Sequence, residues 1–136
     1  MKKEKKKDTG NKKMIIVDTD VLIEIFDKQS EKGENAIKKL ENSGEDIAIT
    51  SINLHEILYG HYKRNKKIKD ILQIDTIEFN KNDAELSSKL EYQLEKQGKT
   101  CHRIDTMIAA ITINRNAKIF TFNKKHYQNI KNIKLF

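Results

Sequence analysis

The sequence predicts an α/β fold built on a parallel sheet with helices on both faces, and three observations carry that expectation. Met14-Ile15-Ile16-Val17 is an uninterrupted apolar run rich in β-branched residues, the pattern of a strand buried on both sides. Strand-like runs then alternate with segments of helical periodicity, the order expected when each strand reaches a parallel neighbour through a helix. Proline is absent and only five glycines occur in 136 residues, so no linker or internal repeat is visible, and the length suits one domain with one core.

Element by element, Met14 to Val17 is the first strand, closed by Asp18. Val21, Leu22, Ile25 and Phe26 recur at helical spacing from Asp20 to Phe26, and Ala36, Ile37 and Leu40 repeat the pattern after a break at Ser30 to Gly33. Asp46 to Thr50 reads as the second strand. Ser51 is a candidate N-cap for a helix from Ile52 to about Tyr62, and Ile68 to Leu72 a further helical turn. Asp75 to Phe79 alternates polar and apolar residues as a third strand, followed by a long amphipathic helix from Asn82 to Gln97 that Gly98 terminates. Arg103 to Asn114 is the next helix, Lys118 to Thr121 a fourth strand, Lys124 to Gln128 a helical turn, and Ile130 to Phe136 a last edge strand.

Charge divides the chain unevenly. Of the net +7, residues 1–13 contribute +5, seven lysines against Glu4 and Asp8, and the other 123 residues hold 20 basic and 18 acidic side chains, or +2. A Lys-rich stretch without apolar periodicity has nothing to pack, so residues 1–13 are expected to be a disordered tail and residues 14–136 the folded domain. The longest apolar runs fall far short of the roughly 20 residues that span a bilayer, and no hydrophobic segment of signal-peptide length follows the N-terminal lysines. No membrane association is expected, and the cytoplasm is the expected compartment. Cys101 is the only cysteine, which excludes an intrachain disulfide.

In parallel α/β sheets ligands bind outside the carboxyl ends of the strands. Asp18 and Thr121 fall at such ends, Glu56 lies one to two turns into the helix after strand two, and Asp105 lies in the first turn of the helix before strand four. Each has a plainer role open to it: Asp18 and Asp20 as helix caps, Glu56 as a surface acid, Asp105 as a partner of the helix dipole, Thr121 and Asn123 as strand-end turn residues. If the acids converge, three carboxylates about 4 Å apart repel by roughly 4 kcal/mol per pair at an effective dielectric near 20, a penalty that a divalent metal removes.

Four segments carry a resemblance. Met14 to Ile23, Thr50 to Gly60, Gly98 to Ala110 and Phe120 to Tyr127 resemble, in order, the four motif blocks of PIN-domain proteins, particularly the VapC-type toxins. The resemblance implies a PIN-like three-layer sandwich around a mainly parallel sheet of four to five strands. It implies an endoribonuclease dependent on Mg²⁺ or Mn²⁺, the toxin of a type II toxin-antitoxin system, acting on RNA as a homodimer neutralised by a cognate antitoxin protein. Metal ligands and catalytic residues map onto Asp18, Glu56 and Asp105, with Thr19, Asp20, Thr121 and Asn123 in supporting positions. The fourth block lacks the further acid common near Asn123 or His126, and Cys101 and Tyr127 replace an aliphatic residue and Phe, both changes read as preserving packing.

Oxygen-only anionic ligands suit Mg²⁺ or Mn²⁺ rather than Zn²⁺, and such an ion can polarise phosphate and lower the pKa of attacking water without a histidine base. Lys63, Arg64, Lys66 and Lys67 are candidates for holding RNA phosphates, and His126 for touching substrate, with a solvated surface as the plainer reading. Three other functions compete. An aspartate-nucleophile phosphatase would use Asp18 as nucleophile and Asp20 as acid/base, but strand four ends without the acid it needs. A housekeeping PIN nuclease of rRNA maturation or RNA quality control would share the acids, and a catalytically inactive RNA- or protein-binding module would not need them.

Overall fold

The computed structural model describes residues 13–136. The expectation for residues 1–13 therefore lies, apart from Lys13, outside the described residues. The chain runs β1 (Met14–Val17), α1 (Thr19–Leu22) continuing as a wider π-helical turn (Ile23–Asp27), α2 (Glu31–Ser43), β2 (Asp46–Thr50), α3 (Ser51–Lys63), α4 (Lys69–Leu72), β3 (Thr76–Ile77), α5 (Lys81–Lys96), α6 (Arg103–Asn114), β4 (Lys118–Phe120) and a 3₁₀ turn (Lys124–His126).

The four strands are ordered β3-β2-β1-β4 and every pair is parallel. β1 is central, with Ile15 opposite Ile47 of β2 and Ile16 opposite Ile119 of β4. Both of its faces need cover, which is why the run Met14 to Val17 is apolar without alternation. Ile16 and Ile119 point into one core, with Leu90 and Leu94 of α5 and Ile108 and Ile111 of α6. Ile15, Val17 and Phe120 point into the other, with Val21, Leu22, Leu40 and Ile57 of α1, α2 and α3. Helices thus cover both faces of one sheet, and all four strands present their carboxyl ends to the same edge.

Several boundaries differ from the expected ones for identifiable reasons. Thr50, not Ser51, caps α3, because the side chain of Asn53 returns to the Thr50 backbone while Thr50 accepts from the Asn53 N–H, a reciprocal capping box. Gly33 lies inside α2 rather than in the break, since the Ser30 hydroxyl accepts its N–H at 3.0 Å. A side chain at Gly33 would bring its Cβ to 2.2 Å from the Glu24 carbonyl oxygen, so only glycine lets α2 cross the π turn this closely. β3 is two residues rather than five, and β4 ends at Phe120. The expected edge strand at Ile130 to Phe136 is reduced to one parallel bridge, Ile119 to Leu135, held by hydrogen bonds of 2.9 Å from the Ile119 N–H to the Lys134 carbonyl and from the Phe136 N–H to the Ile119 carbonyl.

One lock escaped the sequence reading. Asp83, fully buried in the first turn of α5, accepts from Arg115 Nη1 at 2.7 Å and Asn114 Nδ2 at 2.8 Å, and from the Asn80 N–H at 3.0 Å. These bonds tie the start of α5 to the end of α6. Burial works against the Asp83 carboxylate, but the Arg115 charge and the donors around it hold its pKa below the usual range.

Candidate acid centre at the carboxyl edge of the sheet

Asp18 follows β1 in extended conformation, its N–H donating to the Phe120 carbonyl at 2.9 Å. Its carboxylate caps α1 by accepting the Thr19 N–H at 2.9 Å, so the capping role is realised. That role does not exhaust it. Asn53 Nδ2 donates to Oδ1 at 3.3 Å and the Tyr127 hydroxyl to Oδ2 at 3.1 Å, which fixes both oxygens although the residue is only 8% exposed.

Thr19 couples Asp18 to Glu56. Its hydroxyl accepts from Asn53 Nδ2 at 3.0 Å and donates to Glu56 Oε1 at 2.5 Å, so the exposed carboxylate of α3 is held against the start of α1. Asn53 can serve both neighbours because its Oδ1 is already taken by the Thr50 N–H and hydroxyl, which orients the amide nitrogen outward.

Asp20 turns to β4. It accepts from the Phe122 N–H at 3.1 Å and lies 3.4 Å from the Thr121 hydroxyl, while that hydroxyl accepts the Asn123 N–H at 3.1 Å. Burial and the charge of Asp18 push the Asp20 carboxyl up, and the Phe122 and Val21 N–H groups and Thr121 pull it back in part. Asp105, in the first turn of α6, is pushed up by burial, with Asp18 and Glu56 acting in the same direction and His126 and His102 against it. His126 Nδ1 stands 3.5 Å from Asp105 Oδ2, and its Nε2 is 2.9 Å from Asn123 Nδ2. An amide that donates to Nε2 leaves the proton on Nδ1, facing Asp105. A cleft of about 310 Å³ opens here between Asp105, His102 and His126.

Tyr127 reports on the whole group. Burial holds its phenol proton on, and the charges of Asp18, Asp105 and Asp20 add to that. The charge of Asp18 thus acts on Asp20, Asp105 and Tyr127, and that of Glu56 on Asp105, at one sheet edge. Among the described residues no three His, Cys, Asp or Glu side chains are gathered tightly enough to chelate an ion as they stand. The donor set is nonetheless all carboxylate and hydroxyl oxygen, the chemistry that suits a hard divalent cation. The Cys101 thiol beside it is pushed up to about 11 by burial and by Asp105 and Glu91, which keeps it protonated and inert.

The lysine-rich end of α3 stands apart. Arg64 and Lys66 are both ion-paired with Asp27, Lys66 also donating to the Asp27 carbonyl at 2.7 Å. Lys63 lies over the Tyr59 ring at 5.1 Å, and Lys67 is exposed. Seven residues of helix separate Lys63 from Glu56, about 10 Å. Conversely, Asn53 and Tyr127 were not expected to touch the acids. An Asn three residues after Thr50 was the available signal for the first; the second offered only a Tyr where Phe is usual.

Acids ordered by backbone and amide donors at the carboxyl edge of a four-stranded parallel sheet define an α/β domain of the acid-centred type. Residues 15–132 match the PIN domain family model, and the chain belongs to the PIN-domain family. It is 31% identical to Ribonuclease VapC1 of Methanocaldococcus jannaschii over 134 residues, 96% of this chain and 91% of that protein. It is 28% identical to Ribonuclease VapC2 of Rickettsia felis over 125 residues, 87% of this chain and 92% of that one. The fold superposes with a TM-score of 0.77 and 28% identity on a chain of the Rickettsia felis VapBC2 crystal structure, a complex bound to a DNA fragment from its promoter, covering 90% of this chain and 97% of that chain.

Proposed function

We propose that this chain is the ribonuclease toxin of a toxin-antitoxin pair, hydrolysing RNA phosphodiester bonds at the acid centre. The observation that carries the reading is the joining of Asp18 to Glu56 through Thr19, with Asp105 electrostatically coupled to both. Asp18, Glu56 and Asp105 would hold Mg²⁺ or Mn²⁺, which when bound offsets phosphate charge and makes water a better nucleophile. Around them, Asn53 and Tyr127 hold Asp18 in one rotamer, Thr19 aims Glu56, and Thr121 with the Phe122 N–H keeps Asp20 at the edge. Such preorganised side chains need little rearrangement when a phosphate arrives. His126 and Asn123 stand next to Asp105, with the His126 Nδ1 turned to its carboxylate.

The VapBC likeness supports a cognate antitoxin protein as partner, and the reading includes a homodimer, which light scattering measures. Among the described residues no helix is long and apolar enough to cross a membrane. The test is RNA incubated with the protein plus Mg²⁺, Mn²⁺ or EDTA, beside an Asp105→Asn variant. Cleavage is expected with either metal, none with EDTA, and a loss of at least about a hundredfold in the variant with its circular dichroism unchanged. Cleavage by Asp105→Asn at the native rate overturns the assignment. Growth arrest on expression, relieved by the product of an adjacent small gene, separates the toxin from a housekeeping nuclease of the same chemistry.

A further inference from the structure

A groove of about 590 Å³ runs away from the acid centre between α2 and the segment after β4. Its lining includes four lysines, Lys32 and Lys39 of α2 and Lys124 and Lys125 of the 3₁₀ turn, together with Phe122, and no acidic residue. None of the four lysines is in an ion pair with a described residue, although Glu24 feels the charge of Lys32. Lys32 and Lys39 are seven residues apart, hence two turns of one helix face, about 10 Å. The floor is aromatic. Phe122 meets Phe120 edge-on at 5.7 Å and Phe120 meets Phe136 at 5.1 Å, with Lys32 over Phe122 at 4.2 Å and Lys39 over Phe136 at 4.8 Å. Thr121, whose hydroxyl faces Asp20, lines the groove and joins it to the acids.

Cations beside the partly exposed rings of Phe122 and Phe136, which rest on the buried Phe120, are the composition of a single-strand track: lysines neutralise phosphates and a ring face accepts a base whatever its identity. We propose that this groove binds the single-stranded RNA flanking the cleaved bond, with Lys32, Lys39, Lys124 and Lys125 on phosphates and Phe122 under a base. The proposal rests on the nuclease reading and adds to it the path of the substrate.

The test reads binding without cleavage. Fluorescein-labelled single-stranded RNA is titrated with the full chain in EDTA and followed by anisotropy at several salt concentrations. Lys32→Gln with Lys39→Gln, and separately Lys124→Gln with Lys125→Gln, should each weaken binding roughly 25-fold at 0.1 M salt and lower the slope of log K against log salt by about 1.4, two single-strand phosphate contacts. Phe122→Leu should weaken it by at least about fivefold while leaving the slope unchanged. The control pair Lys89→Gln with Lys96→Gln on α5 should change affinity less than threefold. A small phosphodiester, bis(p-nitrophenyl) phosphate, with Mn²⁺ reports the acid centre alone, so its hydrolysis should survive the lysine changes. Groove variants that bind RNA as the native chain does, or a control pair that loses as much, overturn the proposal. So does loss of a co-expressed antitoxin with RNA affinity intact, which makes the groove a protein surface. If the native chain binds RNA through the groove yet cleaves neither substrate, the nuclease reading fails and the track stands.

Discussion

Asn53→Asp isolates the electrostatics of the acid centre with almost no change in shape. The substitution keeps the Oδ1 that caps α3 and replaces Nδ2, which lies 3.3 Å from Asp18 Oδ1, by a second anionic oxygen. Two unit charges at that distance repel by about 5 kcal/mol at an effective dielectric near 20. A proton taken up by the pair limits the penalty, because keeping a carboxyl of pKa near 4 neutral at pH 7 costs about 4 kcal/mol. The charge cost therefore settles near 4 kcal/mol, a large share of the 5–15 kcal/mol typical of a domain. Asn53→Ala adds no charge and loses a cap and two donors, about 2 kcal/mol. Urea unfolding in EDTA at pH 7 should thus rank the native chain above Asn53→Ala and both well above Asn53→Asp. As pH falls from 7 towards 4 the deficit of Asn53→Asp should shrink by about 1.4 kcal/mol per unit, since its folded state then binds a proton that the unfolded chain does not. An Asn53→Asp variant as stable as Asn53→Ala at pH 7 would refute the close pairing of Asn53 with Asp18.

Other outcomes follow from the same structure. Mg²⁺ at about a hundred times its dissociation constant should stabilise the native chain by about 2.7 kcal/mol, raising the thermal midpoint by several degrees; the shift should vanish in Asp18→Asn, and its persistence there would remove Asp18 from the metal site. Gly33→Ala should cost about 2 kcal/mol or more in urea unfolding despite alanine's better helix propensity, because its Cβ would meet the Glu24 backbone at 2.2 Å. Asp83→Asn should cost about 2 kcal/mol at pH 7, less than for a fully buried pair because the Arg115 side chain is 24% exposed. Since the folded Asp83 pKa lies below the usual value, this advantage is complete above about pH 4 and is lost as pH falls through the folded value; a gap between the two proteins that widens in acid would contradict it.

How far the sequence led depended on whether a feature was local. β1, β2 and α6 have the bounds that their apolar runs and periodicity predicted, because a strand or helix facing a core on known sides writes that into its own residues. The edges were less legible. β3 pairs only through Ile49 with Thr76 and Thr50 with Ile77, and the Ile130 to Phe136 segment only through Leu135, so alternation there overstated the pairing. Within the acid centre the side chains of Asp18, Glu56 and Asp105 could be named from strand ends and helix starts. The donors that hold them could not: Asn53 carried no assigned role and Tyr127 read as packing until the chain brings each to Asp18. Charge was legible only in part for a similar reason, since the run Lys63 to Lys67 is compact in sequence but its pairing of Arg64 and Lys66 with the distant Asp27 is not, and the lysines of the groove come from α2 and from residues 124 and 125.

The central position of β1 bears on when activity can arise during synthesis. Asp20 waits for the Phe122 N–H, 102 residues later, and Asp18 for the Tyr127 hydroxyl, 109 residues later. Contacts that distant form late and only after long loops close. A ribosome translating this message therefore carries a nascent chain with Asp18 and Asp20 already made but without the Tyr127 hydroxyl and Phe122 N–H that complete their order, and a product stalled before β4 should be harmless to the RNA that encodes it.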